Sequence, residues 1–307
     1  MHAPPFHWRL LAPPQWPTWL GIGLLRLLCL LPIPVLIVLG EALGTLAGRL
    51  SPRRRLVTLT NLRLCFPEKS TGEHEQLAAE HFKALGVGVF EAGLAWWASD
   101  ARLRRHCEVV GLEHLDAVRH QGRGMLLLTG HFTTLELGAR LLCLAGQPFH
   151  AMYRPYNNPV ADFFMHRWRE ARSNLPALPR DELRPLVRAL REGRAVWYAP
   201  DQTLDPRASV FAPFFGVPAL TITATSKLAQ IGRAAVVPYF PQRTVRGWRV
   251  TVLPALADFP GDDETADAAR VNAVLEQGIR LAVPQYFWTH RRFKRRPPGA
   301  APMPAGY

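Results

Sequence analysis

The sequence predicts an α/β protein, a mixed sheet with flanking helices, preceded by an N-terminal hydrophobic membrane helix. Three observations carry this. From Cys107 onward, short apolar runs alternate with longer amphipathic stretches, the pattern of strands joined by helices packed on both faces of a sheet. Ahead of them, Thr71 to Ser99 repeats Leu77, Phe82, Leu85, Val89 and Phe90 at roughly helical spacing, with Thr71 as a cap. Earlier still, Leu10 to Gly40 carries a single charge, Arg26.

The elements follow in order. A spanning helix needs about 20 apolar residues. Trp19 to Gly40 supplies them if Arg26 snorkels to an interface, although Pro32 and Pro34 interrupt the run. Trp16 and Trp19 suit a bilayer boundary. The plainer alternative is a buried helix of a soluble protein. Arg49, Arg53, Arg54 and Arg55 come next and by the positive-inside rule keep the remainder cytoplasmic. The chain therefore divides into a membrane anchor over residues 1–50 and a catalytic domain over 51–307. Strands are expected at Cys107–Gly111, Met125–Thr129, Ala195–Ala199, Ala234–Phe240 and Arg249–Leu253. Helices are expected at His131–Leu144, Pro159–Arg172, Asp181–Glu192 and Thr221–Ile231. The tail from Pro297, rich in proline and alanine, reads as irregular.

Composition narrows the function. With 48% hydrophobic and 20% charged residues among 307, the chain has enough apolar side chain to fold, which excludes disorder as its dominant state. A net charge of +13, from 37 basic and 24 acidic residues, predicts polyanionic partners: nucleic acid, anionic phospholipid or a phosphorylated substrate. No nucleic-acid recognition module is visible, so nucleic acid is not expected. Cys29, Cys65, Cys107 and Cys143 lie far apart, without zinc or redox spacing. This places the bulk of the chain in a reducing compartment and calls for no metal.

The segment GMLLLTGHFTTLELGARLL, Gly124 to Leu142, carries the chemistry. Its apolar run ends at Thr129-Gly130, and His131 stands where a helix should begin. Glu136 lies five residues on, about 500° around a helix and so not an ordinary helical pair. The spacing makes sense if His131 sits in the turn before the helix and Glu136 in its first turns. The carboxylate then orients the imidazole, and the helix N-terminus opposes a standing positive charge on the ring. Such a histidine is neutral at rest and able to accept a proton. A histidine that merely caps the helix fits the same spacing.

TGHFTTLELG resembles the catalytic motif of the bacterial lipid A late acyltransferases. MYRPYNNP (Met152–Pro159), WYAPDQ (Trp197–Gln202) with SVFAPFFGVPA (Ser209–Ala219), AAVVPYFPQR (Ala234–Arg243) and QYFWTHRRFKRRP (Gln285–Pro297) resemble that family's later blocks in order. The likeness extends from the apolar N-terminal segment to Tyr307. It implies a glycerolipid-acyltransferase-like fold in the bacterial inner membrane, with the catalytic domain on the cytoplasmic side. It further implies acyl carrier protein as donor, a hydroxyl of a lipid A precursor as acceptor, His131 as general base with Glu136 as its partner, and no dissociable cofactor. At one place the chain departs from the pattern: Thr203 stands where many relatives carry a second Asp, and Asp205 where they carry Gly.

Three further residues are substrate-binding candidates. Arg154, with a planar fork suited to phosphate or carboxylate, lies in the second block, either on substrate or in a structural ion pair. Asp201 ends the WYAP run and either orients a base such as Arg154 or caps a turn. Arg207 follows. The cluster Arg291, Arg292, Lys294, Arg295 and Arg296, after Tyr286, Phe287 and Trp288, suggests a patch facing an anionic membrane surface. Two other functions remain open: an acyltransferase for another acceptor, such as a lysophospholipid or amino-lipid, and a basic membrane-tethered binding protein without catalysis.

Overall fold

The computed structural model describes residues 6–180, 182–202 and 206–307. Helices α1 (Trp16–Leu28), α2 (Ile33–Leu50), α3 (Pro52–Cys65), α4 (Thr71–Trp97) and α5 (Asp100–Arg104) precede the sheet. Then follow β1 (Cys107–Val110), α6 (Leu112–His120), β2 (Met125–Leu128), α7 (Leu135–Leu144), β3 (His150–Tyr153), α8 (Pro159–Ser173) and β4 (Leu178–Pro179). After them come α9 (Leu183–Arg191), β5 (Ala195–Tyr198), a hairpin of β6 (Ser209–Phe214) and β7 (Val217–Ile222), α10 (Ala224–Gly232), β8 (Ala235–Thr244), β9 (Gly247–Val252) and α11 (Glu264–Leu281).

Seven strands form one mixed sheet in the order β1-β9-β8-β2-β5-β3-β4, with β8 and β9 antiparallel and the other neighbours parallel. Strand β2 is buried along its whole length, as expected of a parallel strand covered on both faces. Its side chains alternate. Leu126 and Leu128 pack with Leu186 and Leu190 of α9, Leu228 of α10 and Leu275 of α11. Met125 and Leu127 pack with Leu137 and Leu141 of α7 and with Phe90 and Leu94 of α4. The chain after β2 thus turns to one face of the sheet, whereas the chain after the adjacent β5 runs on to α10 on the other. A crevice opens at the carboxyl ends of these two strands, the place where open α/β sheets hold ligands.

The N-terminal segment differs from expectation. Instead of one helix through Trp19–Gly40 there are two, because Pro32 cannot donate to the preceding turn and the chain bends between Cys29 and Pro32. The 18 residues of α2 extend about 27 Å at the helical rise. One face carries Gly40, Gly44 and Gly48 against α4: a Cβ on Gly44 would lie 2.0 Å from the Phe82 carbonyl oxygen, and one on Gly86 2.0 Å from that of Gly40. Only glycine permits this backbone approach. The other face exposes Val35, Val38, Leu39, Leu43, Leu46 and Leu50, and α1 exposes Leu20, Leu24 and Leu27. Replacing Gly44 with Val forces α2 off α4. Overpacking of this kind costs about 1–3 kcal/mol; a lower melting temperature in detergent is expected, and an unchanged one would mean that the two helices are not held in this packing.

Other differences are local. Helix α4 is capped by Ser70 rather than Thr71, with Glu73 completing a capping box. The helix expected from Thr221 begins at Ala224, because Thr221 and Ile222 complete the β6–β7 hairpin. The helix expected from Asp181, itself outside the described residues, begins at Leu183. Strands β3, β4, β6 and β7 and helices α3, α5, α6 and α11 are additions to the expected set.

Candidate functional site

Parallel register builds the site. Leu128 of β2 pairs with Tyr198 of β5, and His131 and Asp201 each lie three residues beyond that pair. Both therefore emerge at the same level at the carboxyl edge. The Asp201 carboxylate receives His131 twice: the backbone N–H donates to Oδ2 at 2.8 Å and ring Nδ1 to Oδ1 at 2.5 Å. An ionised carboxylate only accepts, so Nδ1 carries the proton and Nε2 is left as the basic nitrogen. Asp201 is 2% exposed. Burial alone would raise its pKa, but the His131 charge and hydrogen bonds, with a further one from the Tyr286 hydroxyl, bring it down to about 2. On His131, burial opposes protonation, but the Asp201 charge and hydrogen bond outweigh it and hold the pKa above the ordinary 6.5.

Carboxyl-terminal residues lock this turn. The Thr133 and Phe287 amides donate to the Gln285 and His131 carbonyl oxygens at 2.8 and 2.9 Å, and Phe132 bridges Tyr286. A Cβ on Gly130 would stand 3.2 Å from the Tyr286 ring and 3.3 Å from Asp201 Oδ2, so glycine here lets the carboxylate reach the backbone. His290 is a second imidazole within electrostatic reach of Asp201 and His131; burial pushes its pKa down to about 4, which keeps it neutral. Tyr286 and His290 both lie in the terminal motif, and their position against His131 follows from pairing between segments remote in sequence. Tyr286→Phe removes one donor from a buried carboxylate, a loss of about 1.5–3 kcal/mol for a charged hydrogen bond. An expected fall of about tenfold in kcat with little change in KM would be read by steady-state kinetics; wild-type kcat would mean that Tyr286 does not help position Asp201.

Glu136 does not meet His131. It occupies the second position of α7, as the spacing suggested, but its carboxylate is held by α8: Arg169 Nη2 at 2.5 Å on Oε1 and Arg172 Nη2 at 2.9 Å on Oε2. Burial raises its pKa, but the two guanidinium charges dominate and bring it down to about 2. The expected His131–Glu136 pairing is thus replaced by His131–Asp201 and Glu136–Arg169–Arg172. The physical reason is direction: the helix carries residue 136 toward α8, while the strand pairing brings Asp201 beneath the ring. Arg169 and Arg172 had no signal in the sequence beyond their place on the predicted helix.

Glu136, Arg169 and Arg172 wall a narrow cleft that is otherwise mostly apolar, with Leu135, Ala139 and Cys143 along one side of α7 and Trp197 at the inner wall. Trp197 also stands edge-on to His131, with ring centres 6.3 Å apart. Burial pushes the Cys143 thiol up to about 11, so it stays protonated and unreactive at neutral pH. Arg154 is exposed just past β3 at the same edge, and Arg207 is exposed in a short 3-10 turn, Pro206–Ala208; neither touches His131 among the described contacts. Thr203 and Asp205 lie outside the described residues. Among the described residues no three His, Cys, Asp or Glu side chains converge as metal ligands would.

The terminal basic cluster is not one surface patch. Arg292 is 3% exposed, donating to the Leu220 carbonyl at 2.6 Å and to Thr221 Oγ1 at 2.9 Å. Arg291 donates to the Tyr307 carbonyl at 2.8 Å. Tyr286 and Trp288 are buried, because their polar atoms find partners in Asp201 and in the Val283 carbonyl. Lys294 and Arg295 alone of the cluster are exposed.

A carboxylate-held imidazole at the switch point of a mixed sheet, beside an apolar cleft, defines an α/β protein equipped to take a proton from a bound group. The family described as bacterial lipid A biosynthesis acyltransferase matches residues 3–295. The lipid A biosynthesis lauroyltransferase of Escherichia coli (strain K12) is 44% identical over 301 residues, 97% of this chain and 98% of that one. The palmitoleoyltransferase of the same organism is 40% identical, over 95% and 96%. Among solved structures, the 1-acyl-sn-glycerophosphate acyltransferase PlsC from Thermotoga maritima aligns with 76% of this chain at 13% identity and a TM-score of 0.40. The chain belongs to the bacterial lipid A biosynthesis acyltransferases and is an acyltransferase.

Proposed function

We propose that this acyltransferase moves a fatty acyl chain from a thioester of acyl carrier protein to a hydroxyl of a lipid A precursor, with His131 as general base. The observation that carries the chemistry is the His131–Asp201 pair, which fixes the proton on Nδ1 and leaves Nε2 as the basic nitrogen. Nε2 takes the hydroxyl proton as the oxygen attacks the thioester carbonyl. The new C–O bond forms, the C–S bond breaks, and the imidazolium returns the proton to the departing thiolate. Arg154 and Arg207, exposed cations at the carboxyl edge, suit phosphate on the acceptor. The acceptor class is taken from the relatives named above.

The reading places the protein at the bacterial inner membrane. The outward leucines and valines of α1 and α2 form the lipid-facing surface, and the basic residues from Arg49 to Arg55 keep the catalytic domain on the cytoplasmic side. Part of that cluster is also structural: Arg54 donates to the Thr289 carbonyl at 3.1 Å and Arg55 pairs with Glu75. The test is transfer by purified protein from acyl carrier protein thioesters, with a lipid A precursor and a lysophospholipid as competing acceptors. Acylation of the lipid A precursor is expected; acylation of the lysophospholipid alone would overturn the acceptor.

A further inference from the structure

Helix α9 carries one feature that the transfer chemistry does not use. Its inner side buries Leu186, Ala189 and Leu190, while Arg184, Arg188 and Arg191 are exposed on the opposite side. Their spacing, i, i+4 and i+7, aligns them on one face. Arg184 and Arg188 form no ion pair or hydrogen bond among the described residues, and Arg191 meets a neutral oxygen, the Ile231 carbonyl, at 3.0 Å. Arg233, at the end of α10, is exposed close by, and Leu183 and Ile231 are exposed apolar side chains beside the arginines. The arrangement works against the isolated helix. Like charges at i, i+4 repel, and α9 has no acidic residue in its first turn, where Arg184 opposes the helix dipole. A surface negative partner would relieve both.

We propose that the arginine face of α9 docks the acidic surface of the acyl carrier protein, an inference that rests on the donor reading above. Charge complementarity sets the partner's sign: a cationic face with flanking apolar residues fits an acidic, partly apolar protein surface and speeds its encounter. Position separates a soluble partner from a bilayer. The inner side of α9 packs on the sheet face that carries Leu126 and Leu128. The apolar helices α1 and α2 belong to the other face, through α4 and the cluster containing Met125 and Leu127. A membrane that receives α1 and α2 therefore lies across the sheet from the arginines. Strand β4 ends at Pro179 on the same edge as His131 and α9 begins four residues later, so its first turn sits level with the site. A donor carried on a flexible arm can dock there and still present its thioester to His131.

The test is the exposed charge reversal Arg184→Glu with Arg188→Glu in the full chain, and a second variant adding Arg191→Glu. Each is assayed with an acyl thioester on acyl carrier protein and with the same acyl group on free pantetheine. Binding to vesicles of anionic phospholipid is measured in parallel. The expected result is a rise of about tenfold or more in KM for the carrier-borne donor and a flatter salt dependence of kcat/KM, with an unchanged rate on the pantetheine donor and unchanged vesicle binding. Wild-type KM for the carrier-borne donor in both variants would overturn the docking surface. Loss of vesicle binding with that KM intact would also overturn it, in favour of a membrane contact. A wild-type enzyme that uses both donors with equal KM would refute the donor reading itself.

Discussion

His131→Ala loses about 10²–10⁴-fold in kcat/KM for acyl transfer, the usual contribution of a general base, while the protein still folds, with a lower melting temperature because the buried Asp201 carboxylate loses its partner. The His131 side chain is itself partly solvent-facing, at 31% exposure, so the loss of stability comes from Asp201 more than from packing. The pH profile gives the finer expectation. The active base is neutral His131, and Asp201 holds the folded pKa above 6.5. The rate therefore climbs with pH through a limb above that value and falls below it. Asp201→Asn removes the charge that favours the imidazolium, so the limb moves to lower pH while the maximal rate drops, because the tautomer is no longer fixed. An acid limb unmoved by Asp201→Asn would remove that carboxylate from the titration of His131.

Glu136→Ala is expected to act first on stability. It leaves Arg172, with a side chain 4% exposed, and Arg169, at 15%, without their counter-ion. Breaking a buried pair from one side costs about 3–5 kcal/mol. Thermal unfolding in detergent should show a clearly lower midpoint, with activity falling alongside as the cleft wall loosens. Activity lost at an unchanged midpoint would place Glu136 in the chemistry, as the family resemblance implies, and not in the wall.

These two residues show where sequence reasoning reaches and where it stops. The apolar runs that became β2, β5 and β8 were legible, and so was His131 in the turn before a helix, since both are local patterns. Asp201 stood out at the end of its strand, but its partner did not. The pairing needs the register Leu128 to Tyr198 across 70 residues, and a strand's neighbour is not encoded in its own composition. Spacing along a single segment favoured Glu136 instead. Arg169 and Arg172, 33 and 36 residues from Glu136, were invisible for the same reason. The basic and aromatic terminal run suggested a membrane patch by composition, whereas the fold buries Tyr286, Trp288 and Arg292 beneath the site. Pro32 was visible as an interruption, and its effect was to divide the apolar stretch into two helices.

The most direct test of the whole account is the mass of lipid A from a strain in which this gene is deleted and then restored as wild type or as His131→Ala. The account predicts that deletion removes one ester-linked acyl chain, that the wild type restores it, and that His131→Ala, present at wild-type abundance in the membrane fraction, does not. Full restoration by His131→Ala would contradict it.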